Sequence, residues 1–313
     1  MKKNIIALIF TLLSLTIFGN DKIKVISPAG APAMTLLKTM DENKRILNKD
    51  IEYEILNASD VLASKIISKE ADIAIIPSNL ASNLYNKGID IRLVSTSIWG
   101  VLYLVSRDES IKTWDDLKGK EVVSIGRNLT PDAILRYLVK ANGLEVGKDI
   151  KISYTNSSPE VAQLFLAGKI DTAIIPEPVL SSVLMKKKDT HIIFNIQDEW
   201  KKASKADIPQ GVMVVQADLA NNHKEFLDKF VENYKESIGW VNANPIKAGE
   251  INSKFSKKNQ GKMIASSIKR SNLMFKSAKD SKKELEEYFK VLLEFNPKLV
   301  GGKLPDDKFY YEK

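Results

Sequence analysis

The chain has 313 residues, of which 44% are apolar and 27% are charged, and 47 lysines and arginines outnumber 39 acidic residues. This composition suits two modest domains or one large one. The absence of cysteine excludes disulfides, thiol chemistry and a lipid anchor on cysteine. Basic residues are spread along the chain without interleaved aromatic residues, and the densest basic run, 186–188, ends a predicted helix, so we expect no nucleic-acid partner.

Residues 1–19 have the layout of a secretory signal peptide. Lys2 and Lys3 precede an apolar run over 5–18, and small Gly19 is followed by polar Asn20. The run is short for a membrane-spanning helix, which needs about 20 apolar residues, although an uncleaved anchor is the alternative interpretation. We therefore expect cleavage near Gly19 and Asn20 and a periplasmic protein without a lipid anchor.

Strand-like and helix-like segments alternate through the first half of the chain, which predicts parallel sheets covered by helices. In chain order, the pattern predicts strands at 23–27 and 51–56, a helix at 59–68, a strand at 72–76 and a helix at 78–87. Two further strands are predicted at 91–96 and 101–106, with a loop over 97–100 between them.

The same alternation then starts again. The pattern predicts a strand at 121–125, a helix from Thr130 that ends at Gly143, a strand at 150–154, a helix from 158 to 168, a strand at 172–175 and a helix at 178–187. Thr130 is expected to be the N-cap of its helix, followed by a proline and an early acid. A strand at 212–216 is followed by helical patterns at 224–241, 245–255 and 282–295.

An internal repeat indicates two lobes of similar build. The sequence DIAIIP at 72–77 recurs as DTAIIP at 171–176, which is 99 residues later. At nearly the same offset, Val25-Ile26-Ser27 aligns with Val122-Val123-Ser124. We expect a signal peptide at 1–19, the first part of lobe 1 at 20–105, lobe 2 at 106–210, and a return to lobe 1 with C-terminal helices at 211–313. Crossings near Ser106 and Pro209 to Gly211 would form a hinge.

Three segments resemble the type II periplasmic binding proteins of ABC importers, in the NMT1/THI5-like branch of sulfonate, nitrate and thiamine-precursor binders. They are WDDLKGKEVV at 114–123, LAGKIDTAIIPEP at 166–178, and the helical segment 218–245. The resemblance implies an α/β fold with two lobes, each a mainly parallel sheet flanked by helices, joined by a two-crossing hinge. It also implies a small-molecule solute and, as partners, a membrane permease and its ATPase. The repeated lobes and the helical return after Gly211 lead us to expect a monomer, and the absence of a glycine-rich nucleotide motif leads us to expect no cofactor.

In open α/β sheets, ligands bind beyond the carboxyl ends of the strands, and two facing lobes bring both sets of loops into one cleft. The candidate ligand-binding residues follow the predicted strands. They are Ser27, Gly30, Asn57, Ser78, Asn79, Trp99 and Gly100 from the first lobe, Arg127, Asn128, Thr130, Asn156 and Glu177 from the second, and Gln210 at the hinge.

Arg127 is one of only six arginines and stands between a strand and a helix start. Helix starts favour anions, and a guanidinium fork suits a carboxylate, sulfonate or phosphate. The alternative is a surface arginine paired with Asp132 or Glu177.

Trp99, before Gly100, offers a flat face for stacking on a solute ring, or else packs at the lobe edge. Glu177 lies between two prolines and either accepts hydrogen bonds from an amine or caps the next helix. Ser78 and Asn79 are natural N-caps that could also contact ligand.

The residues favour binding over catalysis. His191 and His223 are the only histidines, and neither falls in the cleft loops, so a nucleophile–base pair is hard to build. No spacing suggests a metal site. The alternatives that stay open are an enzyme of the thiamine-pyrimidine synthesis type and a structural envelope protein. The expected function is capture of a small solute for import.

Overall fold

The computed structural model describes residues 22–56, 59–256 and 260–312. The expected signal peptide at 1–19, its cleavage site at Gly19 and Asn20, and the candidate ligand residue Asn57 lie outside the described residues. Among the described residues, none of the helices is both long enough and apolar enough to cross a membrane.

The described residues form twelve strands. In chain order these are β1 (Lys22–Pro28), β2 (Arg45–Ile46), β3 (Lys49–Leu56), β4 (Ile73–Pro77), β5 (Ile91–Trp99), β6 (Leu102–Ser106), β7 (Glu121–Ile125), β8 (Lys151–Thr155), β9 (Thr172–Pro176), β10 (His191–Asn195), β11 (Pro209–Gln216) and β12 (Leu273–Ser277).

Thirteen α-helices lie in the same described ranges. They are α1 (Ala31–Thr35), α2 (Leu37–Glu42), α3 (Ser59–Ile67), α4 (Ser78–Asn86), α5 (Thr130–Ala141), α6 (Ser158–Leu166), α7 (Val179–Lys186), α8 (Ile196–Ser204), α9 (Ala217–Asn222), α10 (Lys224–Ala243), α11 (Pro245–Phe255), α12 (Gly261–Ser267) and α13 (Ala278–Phe295).

The strands form two sheets, one in each lobe. The larger sheet has the order β12-β5-β11-β4-β1-β3-β2, and the smaller has the order β10-β6-β9-β7-β8. In both sheets a parallel core of three strands, β4-β1-β3 or β9-β7-β8, is continued by an antiparallel strand, β11 or β6. The predicted fold class, two α/β lobes with helices on the sheets, is confirmed.

The repeat marks structurally equivalent strands. Ala74 of β4 pairs with Ile26 of β1, and Ala173 of β9 pairs with Val123 of β7. These are the same positions that the two sequence matches align, so the two lobes share strand order and register. Buried apolar side chains fill both copies, as a parallel strand covered by helices requires.

The crossing from lobe 1 to lobe 2 comes earlier than the sequence predicted. The strand at 101–106 was expected to end lobe 1, but β6 pairs with β9 and β10 in the second sheet. The chain therefore crosses at Gly100 and Val101 rather than near Ser106, and it returns at 205–208, before β11. An apolar run does not reveal which of two sheets it joins, because both offer the same buried environment.

The predicted loop at 97–100 was also wrong, because β5 continues through Trp99. Eight of the strands and α-helices were not predicted at all: β2, β10, β12, α1, α2, α8, α9 and α12. Strand β12 has one buried residue in five, and β10 also has one, so neither shows a clear apolar pattern. Both are outer strands of their sheets, and the exposed side of such a strand has no need of apolar residues.

Helix α13 packs against both lobes. The largest core cluster contains Ile76 from β4, Leu138 from α5, Trp200 from α8 and Tyr288 from α13. The rings of Trp200 and Tyr288 meet edge to face with centroids 5.7 Å apart. The C-terminal helix therefore helps to set the relative position of the two lobes.

Candidate functional site

A cavity of about 360 Å³ lies between the two lobes. Ten of its lining residues belong to lobe 1: Ala29, Gly30, Ala31, Pro32, Pro77, Asn79, Ile98, Gln210, Gly211 and Tyr288. Seven belong to lobe 2: Val101, Thr130, Ser158, Pro176, Glu177, Pro178 and Val179. Both lobes therefore contribute to the walls of one cavity.

The cavity lies where strands end and helices begin. Pro77 and Pro176 are the last residues of the repeated strands β4 and β9. Thr130, Ser158 and Val179 are the first residues of α5, α6 and α7. Parallel strands place all their carboxyl ends at one edge of a sheet, so the equivalent edges of the two lobes face each other here.

Four helices, α4 to α7, begin beside the cavity, and two of them, α4 and α5, begin without a side-chain cap. The residues before α4 and α5 are Pro77 and Leu129, and neither side chain accepts a hydrogen bond from its helix. The prediction that Ser78, Asn79 and Thr130 act as N-caps was wrong, because each is already helical. The first backbone N–H groups of α4, and those of Thr130 and Asp132 in α5, have no intrahelical partner, and Asn79 and Thr130 line the cavity. Pro131, between the latter two, has no N–H.

The starts of α6 and α7 are capped by side chains. Ser157 accepts a hydrogen bond from the backbone N–H of Glu160 at the start of α6. Glu177 accepts one from the backbone N–H of Ser181 in α7, at 3.0 Å, and another from the Ser181 hydroxyl. The capping interpretation of Glu177 is therefore the one that the structure shows.

Glu177 also makes an ion pair with Arg270 of lobe 1. The Nε atom of Arg270 donates to Glu177, and its Nη2 atom donates to the Ser181 hydroxyl at 2.7 Å. The Glu177 side chain has no exposed surface. Burial raises the pKa of Glu177, and the Arg270 guanidinium and the Ser181 donors act against that rise.

Few polar groups line the rest of the cavity. Glu177 carries the only carboxyl group, and no ammonium or guanidinium group is present, among the described lining residues, and this carboxyl is already paired with Arg270. The side chains of Asn79 and Ser158 make no hydrogen bond to any described residue. Burial raises the pKa of the Tyr288 phenol, while a hydrogen bond with Thr130 acts in the opposite direction. The cavity thus offers an apolar wall with scattered neutral hydrogen-bonding groups.

Five of the predicted ligand residues line this cavity together, and they are Gly30, Asn79, Thr130, Glu177 and Gln210. Ser27 and Ser78 are fully buried and do not line it. The Ser78 hydroxyl has no hydrogen-bond partner among the described residues. The placement makes side-chain or backbone contact with a solute possible for Gly30, Asn79, Thr130 and Gln210, whose role stays a prediction, whereas the Glu177 side chain has no exposed surface.

Trp99 does not offer a stacking face to the cavity. Its indole is 2% exposed, its N–H donates to the carbonyl of Met274 at 2.7 Å, and the Lys276 ammonium lies 4.5 Å from the ring centroid. Because β5 continues through this position, alternate side chains point to opposite faces, and Ile98 takes the cavity side. The alternative interpretation, packing at the lobe edge, is correct.

Arg127 is exposed and outside the cavity lining, with its guanidinium carbon 5.9 Å from the ring centroid of Tyr154. Neither proposed acidic partner is available, because Asp132 pairs with Arg136 and Glu177 pairs with Arg270. The prediction that Arg127 grips an anionic group in the cleft is therefore not supported.

Three other candidates also fall outside the lining. Asn128 is exposed with φ of 63°, and its backbone N–H donates to Asp132. Asn156 is exposed, and its N–H donates to Glu160. Gly100 lies in the crossing between the lobes, where its carbonyl accepts from Asn272.

Sequence reasoning missed Arg270 and Tyr288. Arg270 is as rare a residue type in this chain as Arg127, but it does not stand between a strand and a helix start, so the argument that selected Arg127 does not reach it. Tyr288 lies within a long amphipathic helix, where an aromatic residue looks like ordinary core. No group of three histidine, aspartate or glutamate side chains in the described part of the chain is placed to hold a metal ion.

A model of the family described as NMT1/THI5 like matches residues 48–248. The chain belongs to this family. This NMT1/THI5-like chain is similar to "Putative binding protein YtlA" of Bacillus subtilis (strain 168), with 19% identity over 196 residues. That match covers 61% of this chain and 57% of the relative's length.

Solved structures share the fold over nearly the whole chain. An ABC transporter protein from Parabacteroides distasonis has a TM-score of 0.82 at 27% identity, covering 94% of this chain and 99% of that one. The periplasmic aliphatic sulphonate binding protein SsuA of Escherichia coli has a TM-score of 0.73 at 15% identity, covering 94% and 92%. The resemblance found in the sequence is confirmed.

Proposed function

We propose that this NMT1/THI5-like protein captures a small solute between its two lobes and delivers it to the permease and ATPase of an ABC-type importer. The observation that carries the proposal is the cavity of about 360 Å³ walled by helix starts from both lobes. Pockets of this size suit small ligands and are typically apolar with a few placed polar groups. The family and the shared fold with a sulphonate binding protein support the same function.

The lining favours a solute with an apolar body and a head rich in hydrogen-bond acceptors. Prolines, Ile98 and Val179 supply the apolar wall. The uncapped starts of α4 and α5 supply backbone donors, and helix starts favour acceptor or anionic groups. The described lining holds no lysine or arginine, so neutral donors rather than a cationic side chain would hold that head.

We propose binding without catalysis. His191 lies in the outer strand β10 and His223 lies just before α10, and neither lines the cavity. The acidic group that does line it, Glu177, is held by Arg270 and Ser181. A group used for proton transfer needs a pKa near the working pH and access to substrate, whereas this carboxylate is committed to structural contacts.

Native mass spectrometry of protein purified without denaturation should reveal a retained small molecule, and calorimetry should measure its binding. Ser158→Trp, which fills the cavity from the start of α6, should abolish that binding. Gln163→Trp is the control, because this exposed residue lies on the same helix outside the cavity. Turnover of the molecule, or equal binding by Ser158→Trp, would overturn the proposal.

The proposed site of action is the periplasm, with a mature chain that begins near Asn20. The layout of residues 1–19 supports this proposal. Intact-mass measurement of protein from the cell envelope should give the mass of a chain that starts within two residues of Asn20. A full-length chain in the membrane fraction would contradict it.

A further inference from the structure

Side-chain amides support the crossing between the lobes. The Gly100 N–H donates to the carbonyl of Ile208 at 3.1 Å, and the Gly100 carbonyl accepts from Asn272 Nδ2 at 2.6 Å. The Val101 N–H donates to Oε1 of Gln210 at 2.9 Å. The Val101 carbonyl accepts from the backbone N–H of Glu177 at 2.9 Å. Every polar backbone atom of the two crossing residues therefore has a partner.

Gln210 belongs to both the crossing and the cavity. Because its partner at Val101 is a donor, the carboxamide oxygen must face the crossing, and the Nε2 group is left as the other end. That Nε2 group has no hydrogen-bond partner among the described residues. The side chain is only partly buried and lines the cavity beside Val101 and Gly211.

We propose that Gln210 couples solute binding to the lobe crossing, by donating from Nε2 to an acceptor atom of the solute while its Oε1 holds the Val101 N–H. The inference rests on the proposed function and names one feature of the solute, an acceptor atom at the hinge end of the cavity. One planar carboxamide carries both bonds. A conformation of the crossing that turns the amide therefore loses the solute contact, and a bound solute favours the crossing seen here.

Such coupling is reciprocal, since a solute shifts the two-lobe equilibrium only by its difference in affinity for the two arrangements. Gln210 is thus a positioning residue as well as a ligand contact. A merely structural role would change the crossing with no dependence on solute. A merely binding role would change affinity with no effect on closure.

Gln210→Glu separates the two roles, because glutamate keeps an acceptor for the Val101 N–H but has no donor for the solute. The solute retained in native mass spectrometry is the probe. We expect Gln210→Glu to bind it about 10-fold more weakly or worse, within the usual range of coupling between sites. At saturation we expect incomplete closure.

Closure is measured by spin labels on cysteines introduced at Glu52 in β3 and Lys151 in β8, since the chain has no other cysteine. Both positions are exposed, and they lie on opposite lobes away from the crossing. Asn79→Asp is the matched control, because it adds the same charge to the same cavity away from the crossing. It should close fully at saturation even if its affinity falls.

Three further outcomes have distinct meanings. If the unaltered protein binds and closes, and Gln210→Glu reaches the same closed distance at saturation, the coupling role is wrong while the proposed function stands. If Asn79→Asp also fails to close, charge in the cavity explains the effect and the coupling role is again wrong. If the unaltered protein retains no molecule and closes on none, the proposed function itself fails.

Discussion

Glu177 of lobe 2 and Arg270 of lobe 1 form an ion pair across the two lobes, with the Glu177 side chain wholly buried. The guanidinium also donates to the Ser181 hydroxyl and to the carbonyl of Ser266 at 3.0 Å, and the Arg270 carbonyl accepts from Tyr103 at 2.8 Å. The pair stands beside the crossing, where Glu177 also bonds to Val101. It therefore fixes the start of α7, one wall of the cavity, against lobe 1.

Arg270→Ala should destabilise the protein by about 3 kcal/mol, because removal of one partner leaves a buried carboxylate without compensation. Urea unfolding followed by circular dichroism measures this change. Arg107→Ala is the matched control, since the acidic partners of Arg107, Asp171 and Asp189, are largely exposed. That control should cost less than about 1 kcal/mol. Equal losses in the two variants would contradict the special role of the buried pair.

The stability deficit of Arg270→Ala should depend on pH. Burial already raises the pKa of Glu177 above its ordinary value of 4.5, and loss of the guanidinium raises it further. A carboxyl whose pKa is higher in the folded state than in the unfolded state destabilises the fold only when it is ionised. This destabilisation is absent below the unfolded-state pKa and grows as the pH rises toward the folded-state pKa. The deficit should therefore be small at pH 4.5 and larger at pH 7.5, by about 1.4 kcal/mol for each unit of added pKa shift. The double variant Glu177→Gln/Arg270→Ala should lose this dependence.

Arg127→Ala should leave solute affinity within about 0.5 kcal/mol of the parent, because its side chain is exposed outside the cavity. The sequence alone predicts a loss of about 1.5–3 kcal/mol for a charge-assisted bond at this residue. Thr130→Val, three residues along the chain in the cavity wall, should weaken binding by about 1 kcal/mol if its hydroxyl contacts the solute. Calorimetry with the retained solute compares the two, and a large loss in Arg127→Ala alone would restore the interpretation from sequence.

The contrast between these two residues shows what sequence patterns could predict. Periodicity and the repeat give most of the strands and the edges at which helices begin, so Gly30, Asn79, Thr130 and Glu177 were predicted as parts of one cleft. Whether a loop side chain then turns inward depends on its backbone dihedrals and on competing partners. Asn128, in the loop between β7 and α5, has a φ of 63°, and this left-handed conformation helps to decide where the neighbouring side chains point.

Long-range contacts explain the other misses. Arg270 reaches the cleft only because the chain at 261–277 folds back on β5, and Tyr288 does so because α13 bridges both lobes. Neither approach leaves a local signal in the sequence. The assignment of β6 to lobe 2 likewise depends on its pairing with β9. The first residues of these two strands, Leu102 and Thr172, are 70 residues apart in the chain.

Gly100→Ala should lower the stability of the protein by more than backbone strain at a positive φ alone would cause. Gly100 has φ of 50°, and a Cβ there would lie 2.3 Å from Oε1 of Gln197, the atom that accepts from the Ile208 N–H. Gly88→Ala is the control, because Gly88 has φ of 89° with no atom within 4 Å of the added carbon. Positive φ alone costs an alanine about 1–2 kcal/mol, so Gly88→Ala should lose about that much. Thermal unfolding should show a larger loss of stability for Gly100→Ala than for Gly88→Ala. Equal losses would mean that the Gln197 side chain moves away from the added carbon without a loss of stability.

The two lobes should close on their solute by rotation about the crossings at 100–101 and 205–208. The β5–β6 and α8–β11 connections are the two passages of the chain between the sheets, so a small change in a few dihedral angles there moves one lobe against the other. Small-angle scattering with the retained solute, first removed by partial unfolding and then added back, should give a smaller radius of gyration in the bound state. Ser158→Trp, which occupies the cavity, should show no solute-dependent change. An unchanged radius for the unaltered protein at saturating solute would mean that the lobes do not rotate on binding, even though their shared cavity holds the ligand.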